Sequence, residues 1–89
     1  MSVEYERYKA ASAMLREMPA TVRTVAEARY YVDLIGSIAD YDEETAHSCE
    51  DKLHQAVLRA ICNGEAETPA TLCAVAIKTL DILFARWCA

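Results

Sequence analysis

Apolar residues recur every three or four positions along most of the chain, which is the period of an amphipathic helix. The first such segment runs from about Val3 to Met18, and Pro19 ends it because proline disfavours helix in the residue before it. Its apolar face is predicted to contain Tyr8, Ala11, Leu15 and Met18, with Tyr5 and Met14 at the margin. No stretch alternates apolar and polar residues, so no strand is predicted.

Two further helices are marked by their first residues as well as by their apolar positions. Thr24 and Glu27 have the spacing of a capping box, which predicts that the second helix begins there. The third begins near Asp42, because Glu43 and Glu44 beside it suit the positive end of the helix dipole. The predicted core faces are Val25, Ala28, Val32, Ile35 and Ala39 on the second helix and Ala46, Cys49, Leu53, Val57 and Ile61 on the third.

The fourth predicted helix is the most apolar. Gly64 ends the third helix. The fourth opens at Thr68, whose hydroxyl is expected to cap it, followed by Pro69, and it is predicted to run to about Cys88. Its main stripe is Leu72, Ala76, Leu80, Leu83 and Trp87. Three neighbouring helices cannot cover every side of so apolar a helix. We therefore expect an all-α bundle of about four helices that is completed by a homodimer contact or by a partner.

Length and composition fit one globular domain over residues 1–89. Of these residues 54% are hydrophobic and 26% are charged, which suits a single core. The net charge is -5 and the nine Lys and Arg residues are spread along the chain, so nucleic-acid binding is not expected.

No signal peptide and no membrane-length apolar segment is visible, which predicts a cytoplasmic protein with no membrane partner. Its cysteines are then expected to be reduced and in the core, with Cys88 the most exposed.

No catalytic constellation is visible, so we predict no enzymatic activity and no cofactor. Cys49 lies two residues from His47 and five from His54, and neither spacing brings two side chains together on one helix. The serines have no surrounding motif, and there is no glycine-rich loop that could hold a phosphate.

A metal- or small-ligand-binding bundle is one alternative. Glu44 with His47, and Asp51 with His54, form two carboxylate–histidine pairs at i and i+3, a spacing used in four-helix di-iron proteins. Those proteins place such pairs on two helices, whereas both pairs here lie on one predicted helix, on a flank shared with Glu50. We therefore favour a solvated acidic face over a metal site.

A second alternative is that the acidic stretch from Asp40 to Asp51 imitates DNA and binds a basic protein. The stretch holds six carboxylates and no Lys or Arg. The start of the third helix accounts for half of it, since carboxylates stabilise a helix N-terminus. A solvated segment that caps the helix is the preferred interpretation.

The preferred hypothesis for function is a non-enzymatic module that binds another protein. Five tyrosines are more than one small core needs, and Tyr and Arg are favoured anchors of protein interfaces. The candidate partner-binding residues are Tyr5, Tyr8, Arg29, Tyr30, Tyr31, Tyr41, Phe84 and Trp87. Tyrosines at the rim of a bundle, with the ring buried and the hydroxyl in water, would give the same pattern. The sequence leaves these two interpretations open.

The C-terminal block from Ile77 to Ala89, with the sequence IKTLDILFARWCA, resembles the endings of small accessory proteins of temperate phages and prophages. The resemblance covers that block alone and includes no active-site motif. It implies an accessory protein that binds and inhibits a host factor, such as a transcription regulator, a motility component or a defence complex. No functional residue is carried over from it.

Overall fold

A computed structural model describes residues 2–86, and all regular structure in that range is helical. The elements follow one another in the order α1 (Val3–Arg16), α2 (Val25–Ile38), α3 (Glu43–Cys62), α4 (Pro69–Ala76) and a 3₁₀ helix (Ile77–Asp81). Residues 82–86 are not helical. The prediction of a small all-α bundle with about four helices is confirmed for this part of the chain.

α2 lies at the centre of the bundle, because it packs against α1, α3, α4 and the 3₁₀ helix. The core is formed by Ala11, Leu15, Val22, Ala28, Ile35, Ile38, Ala39, Ala46, Cys49, Leu53, Ala56, Val57, Leu72, Val75 and Ala76. Most of the faces predicted for the first three helices therefore point inward. Val25, Val32 and Ile61, which were predicted on those faces, are only half-buried.

The helix starts follow the predicted capping pattern. The Glu27 amide donates to the Thr24 hydroxyl oxygen (3.1 Å), and the Glu27 carboxylate accepts from the Thr24 amide (3.2 Å), so the capping box of α2 is complete. At α3 the Asp42 carboxylate accepts from the Thr45 amide (3.0 Å). Thr68 makes no such side-chain bond, so the hydroxyl cap predicted for α4 is wrong, although Pro69 does occupy the first turn.

The end of α3 is fixed by a glycine, as the sequence predicts. Gly64 has a φ of +73°, a left-handed conformation that glycine adopts without steric cost. This turn lets the Glu65 amide donate to the Ala60 carbonyl (2.8 Å) and the Gly64 amide to the Ile61 carbonyl (3.1 Å). Two of the last carbonyls of α3 are thereby satisfied.

The segment that joins α1 to α2 is held on α3 rather than lying free in solvent. Val22 is fully buried, and its amide donates to the Ala56 carbonyl oxygen (3.1 Å). The next loop is tied to it in turn, because the Glu67 amide donates to the Arg23 carbonyl oxygen (3.2 Å). These bonds close the end of the bundle at which α1 meets α2 and α3 meets α4.

The fourth helix is shorter than the sequence pattern predicts. α4 ends at Ala76, gives way to the 3₁₀ helix and then leaves helical geometry, whereas the prediction carried one helix to about Cys88. Leu72 and Ala76 of the predicted stripe are buried, but Leu80 and Leu83 are 53% and 92% exposed. Trp87 and Cys88 lie outside the described residues.

Side chains at the end of α4 explain why it stops. The Thr79 hydroxyl donates to the Ala76 carbonyl oxygen (3.2 Å), the acceptor that the Leu80 amide would use if the α-helix continued. The His54 Nε2 atom lies 3.2 Å from the same oxygen and 2.9 Å from the Thr79 hydroxyl oxygen. A polar cap therefore replaces the next helical bond.

The bundle is thin in one direction. Its principal extents are 44 × 25 × 17 Å, and packed helices lie about 8–10 Å apart, so the shortest dimension holds no more than about two layers of helix. No helix is surrounded on all sides by others in such a shape. Apolar residues on the outer faces consequently stay in contact with solvent.

Candidate protein-binding surfaces

The tyrosines predicted to bind a partner form two separate groups. The first, called here the Tyr8 cluster, comprises Tyr5, Tyr8 and Tyr41. The rings of Tyr8 and Tyr41 are stacked with centroids 5.3 Å apart, and Tyr5 lies 6.2 Å from Tyr8. The Tyr8 hydroxyl donates to the Asp42 carboxylate (3.1 Å), which ties α1 to the N-terminus of α3. Tyr41 remains 48% exposed.

The second group, called here the Tyr30 cluster, comprises Tyr30, Tyr31 and Met14. Tyr30 and Tyr31 meet edge to face with centroids 5.1 Å apart, and the Tyr30 hydroxyl lies 2.9 Å from the Met14 sulfur. Burial, followed by the negative charge of Glu27, raises the pKa of the Tyr31 hydroxyl. Tyr5 and Met14 are nine residues apart on α1, which places them about 180° apart around its axis, so the two clusters lie on different sides.

The remaining candidates are spread more widely. Arg29 is exposed on α2. Phe84 is half-buried against the core, and the Arg86 guanidinium lies over its ring at 3.9 Å from the centroid. Phe84 is therefore engaged within the fold, which counts against a role as a partner anchor. Trp87 lies outside the described residues.

A row of exposed apolar side chains runs along the outer edge of α3, α4 and the 3₁₀ helix. It consists of Leu58, Cys73, Ile77 and Leu80 and is called here the apolar row. Ile77 and Leu80 are three residues apart in a 3₁₀ helix, a spacing that places their side chains on one side. Leu58, Cys73 and Ile77 also line a shallow groove of about 230 Å³ whose other walls are His54, Val57 and Ala76. Leu58 lay outside the predicted faces, so the sequence pattern missed it.

A buried ion pair holds the C-terminal residues on α3, and this site was also missed. Glu50 is only 2% exposed, and its two carboxylate oxygens accept from the Arg86 guanidinium at 2.9 and 3.1 Å. Arg86 also donates to the carbonyl oxygens of Thr79 (2.7 Å) and Ile82 (3.2 Å). The signal was available, because Glu50 is four residues from Ala46 and thus lies on the apolar face of α3.

The ion pair sets the protonation of both groups. Burial by itself would raise the pKa of Glu50, but hydrogen bonds from Arg86 and the positive charge of that guanidinium lower it overall. The pKa of Arg86 is raised mainly by its hydrogen bonds to Glu50. Both groups are consequently charged at neutral pH. The prediction that Glu50 lies on a solvated face is wrong, because the Arg86 guanidinium satisfies its carboxylate inside the fold.

The histidines do not meet in one metal site. His54 Nε2 is engaged by Ala76 and by the Thr79 hydroxyl oxygen (2.9 Å). His47, Glu50 and Asp51 do bring ligand atoms within 4.8 Å of one another, and His47 Nε2 lies 3.7 Å from the Asp51 carboxylate. Both oxygens of Glu50 are nevertheless occupied by Arg86, so a metal ion there would have to displace a buried guanidinium. The geometry does not support the metal alternative.

The acidic stretch between Asp40 and Asp51 is largely used within the fold. Asp42 caps α3, and its pKa is lowered chiefly by the hydrogen bond from the Thr45 hydroxyl. Glu43 accepts a hydrogen bond from the Ala85 amide, and Glu50 is buried. Three of the six carboxylates are thereby occupied, and Asp40, Glu44 and Asp51 are left exposed. The three carboxylates that stay exposed are a poor imitation of the charged backbone of DNA.

The cysteines differ from the prediction that they belong to the core. Cys49 is buried, and desolvation raises the pKa of its thiol. Cys62 and Cys73 are free and exposed, so the prediction is wrong for both. Cys88, expected to be the most exposed of the four, lies outside the described residues.

Among residues 2–86, every helix is too short or too polar to cross a membrane.

The comparisons with known proteins give no family. The chain matches no protein-family model, no curated protein and no solved structure.

Proposed function

We propose that this chain is a non-enzymatic helical module that binds protein, and that one partner is a second copy of the chain. The observation that carries the proposal is the apolar row, in which Leu58, Ile77 and Leu80 are 57%, 57% and 53% exposed. Contiguous apolar surface of this kind on a small protein marks interaction sites. A two-fold axis beside the row would place it against its own copy.

Charge favours this face for self-association. Each copy carries a net charge of -5, so two copies repel each other over most of their surfaces. Among residues 2–86, no carboxylate, Lys or Arg lines the groove beside the row. Two copies that meet there bury apolar area without burying an unpaired charge, which would be costly.

The expected affinity is low. Burying the exposed halves of Leu58, Ile77 and Leu80 on two copies contributes on the order of 5–10 kcal/mol. The loss of translational and rotational freedom on association costs about as much. Because the two terms nearly cancel, we expect a weak, reversible dimer whose population grows as the protein concentration is raised.

Light scattering coupled to size-exclusion chromatography tests this directly. The wild-type mass is expected to rise from that of the 9.9 kDa chain toward twice that value as concentration increases. The double variant Leu58→Glu, Ile77→Glu should stay monomeric, because each new carboxylate would have to be desolvated at the contact. Val3→Glu together with Met14→Glu, at two exposed apolar positions of α1, is the matched control with the same added charge and should dimerise normally. A wild type that is monomeric at every concentration, or equal loss in both variants, would contradict the proposal.

A second part of the proposal is that the two tyrosine clusters bind a different protein, a host factor in a cytoplasmic setting. Half-exposed tyrosine rings such as Tyr30 and Tyr41 support it, and free cysteines suit a reducing compartment. The role as a modulator of a host factor rests on the resemblance of the block from Ile77 to Ala89 to phage accessory proteins. Affinity capture with the wild type beside a Tyr30→Ala, Tyr31→Ala variant tests it, since the variant should lose the captured protein.

A further inference from the structure

A cleft runs between α1 and α3, and its lining shares no residue with the apolar row but includes Tyr8 of the Tyr8 cluster. α1 packs mainly on α2, and the space left beside α3 forms two adjoining depressions of about 190 and 330 Å³. They share Leu15, Arg16 and Lys52 and are therefore one continuous cleft. Tyr8 stands at one end and Arg59 at the other.

The cleft concentrates positive charge in an acidic protein. Arg16, Lys52 and Arg59 line it, three of the nine basic residues in a chain that has fourteen acidic ones. None of the three forms an ion pair with a carboxylate in residues 2–86, although other cations, Arg23 and Arg86, do. Glu44, at the Tyr8 end, is the single acidic residue in the lining. The site is thus suited to a small number of negative charges.

The polar and apolar lining fits a peptide. Leu15, Met18 and Pro19 give the cleft an apolar floor between its basic residues. The Ser12 hydroxyl in the lining is buried and has no hydrogen-bond partner within the described chain. A buried hydroxyl without a partner is destabilising, and a peptide carbonyl or amide in the cleft would supply the missing hydrogen bond.

The spacing of the cations also fits a peptide. Lys52 and Arg59 are one heptad apart on α3, so they share a face and lie about 10 Å apart along the axis. Three residues of an extended chain span about 10 Å, which allows two carboxylates of one short segment to reach both cations. From Tyr8 to Arg16 the cleft follows about 12 Å of α1, enough for about four extended residues.

We infer that the cleft between α1 and α3 binds a short acidic peptide segment of a partner protein. The carboxylates of the segment pair with Arg16, Lys52 and Arg59, and an apolar side chain between them packs on Leu15 and Met18. A nucleic acid is a poorer ligand, because three cations neutralise few phosphates and the net charge of -5 repels a long polyanion.

Fluorescence polarisation with a labelled five-residue peptide tests the inference. The probe carries four glutamates around a central leucine, and the control probe carries glutamines in their place. The glutamate probe should bind at low salt and lose affinity as salt rises, because exposed ion pairs are screened. Lys52→Ala together with Arg59→Ala should weaken binding about tenfold or more, since each tenfold step corresponds to about 1.4 kcal/mol of lost interaction.

A matched control separates the site from the overall charge. Arg7→Ala together with Lys78→Ala changes the net charge by the same amount at exposed positions outside the cleft, and should leave binding unchanged. Equal losses in the two double variants, equal binding of the two probes, or tighter binding of a short DNA duplex than of the glutamate probe would overturn the inference. Lower dimer mass in the Lys52→Ala, Arg59→Ala variant would also overturn it, because the occupant would then be the acidic stretch of a second copy.

Discussion

Two segments close over the α2–α3 pair, α1 from the N-terminal side and residues 77–86 from the C-terminal side, and they are attached in different ways. α1 buries Ala11 and Leu15 in the core and adds one hydrogen bond from Tyr8 to Asp42 at its rim. The C-terminal segment packs the half-buried Ile82 and Phe84 against the core and is attached in addition by the ion pair of Glu50 with Arg86. It also buries Thr79 and leaves Leu80 and Leu83 in water.

The difference shows which forces each attachment depends on. Apolar burial such as that of Leu15 is worth about 1.5–3 kcal/mol for one side chain and hardly changes with pH. Replacing a buried ion pair by apolar side chains changes the free energy of unfolding little. Removing one partner lowers that free energy strongly, because the other charge is left unpaired. We therefore expect the attachment of the C-terminal segment to respond more strongly to acid than that of α1, and to depend on both partners of one ion pair.

The largest effect is expected from Glu50→Ala. The change leaves the Arg86 guanidinium in the fold without its carboxylate, and Arg86 is itself 28% exposed, so solvent screens part of the loss. We expect the free energy of unfolding to fall by about 2–3 kcal/mol in urea denaturation. Glu44→Ala, an exposed carboxylate in the first turn of the same helix, is the control and should cost about 1 kcal/mol or less, the usual contribution of a carboxylate at a helix N-terminus.

A double-mutant cycle sharpens this result. Arg86→Ala together with Glu50→Ala should cost clearly less than the sum of the two single changes, because the second substitution removes the group that the first left unpaired. Glu50→Leu together with Arg86→Met should recover part of the stability, since apolar groups can replace a buried ion pair. Additive losses would show that the two side chains do not depend on each other.

A second prediction concerns acid, and its effect should be smaller than that of Glu50→Ala. The pKa of Glu50 is lower in the folded chain than in the unfolded chain, for which about 4.3 is usual. Its contribution is therefore fully present above about pH 4.3 and is lost as the pH falls through the lower, folded value. Unfolding followed by circular dichroism at pH values from about 7 to 3 should show this loss.

Glu50→Gln gives the comparison needed for the acid experiment. The variant starts less stable at neutral pH, and its stability should fall less steeply in acid, because the group that gains a proton in the wild type is absent. Asp42 remains in both proteins, and its lowered pKa contributes the same acid sensitivity to each. Parallel curves for the two proteins would assign the acid sensitivity to other carboxylates.

The first three helices are easier to predict from the sequence than the C-terminal segment. The positions of α1, α2 and α3 can be predicted from the sequence, because the apolar period and the end signals lie within or beside each helix. Examples of such signals are Thr24 with Glu27 and the turn at Gly64. The end of α4 also depends on a residue far away in the sequence, because His54 of α3 lies beside the Ala76 carbonyl oxygen to which Thr79 donates. No local pattern distinguishes that cap from a helix that continues.

The surfaces were harder to predict than the fold. The sequence identifies each tyrosine as a candidate interface residue. Only the tertiary packing shows that Tyr8 contacts Tyr41 and that Tyr30 contacts Tyr31 on another side. Arg16 and Lys52 lie 36 positions apart in sequence and share a cleft only because α1 folds back beside α3. A spread of basic residues along the sequence is therefore compatible with a basic cleft in space.

The smallest effect is expected at the rim of α1, from Tyr8→Phe. This change removes the hydroxyl that donates to Asp42 and keeps the ring that stacks on Tyr41. A partly exposed hydrogen bond to a carboxylate that also accepts from Thr45 is worth about 1 kcal/mol or less. Tyr41→Phe is the matched control from the same stacked pair, since its hydroxyl makes no hydrogen bond within residues 2–86 and should change stability little. Urea denaturation of both variants would measure the difference. If Tyr8→Phe cost as much as Glu50→Ala, α1 would depend on a polar attachment just as the C-terminal segment does, and the contrast between them would fail.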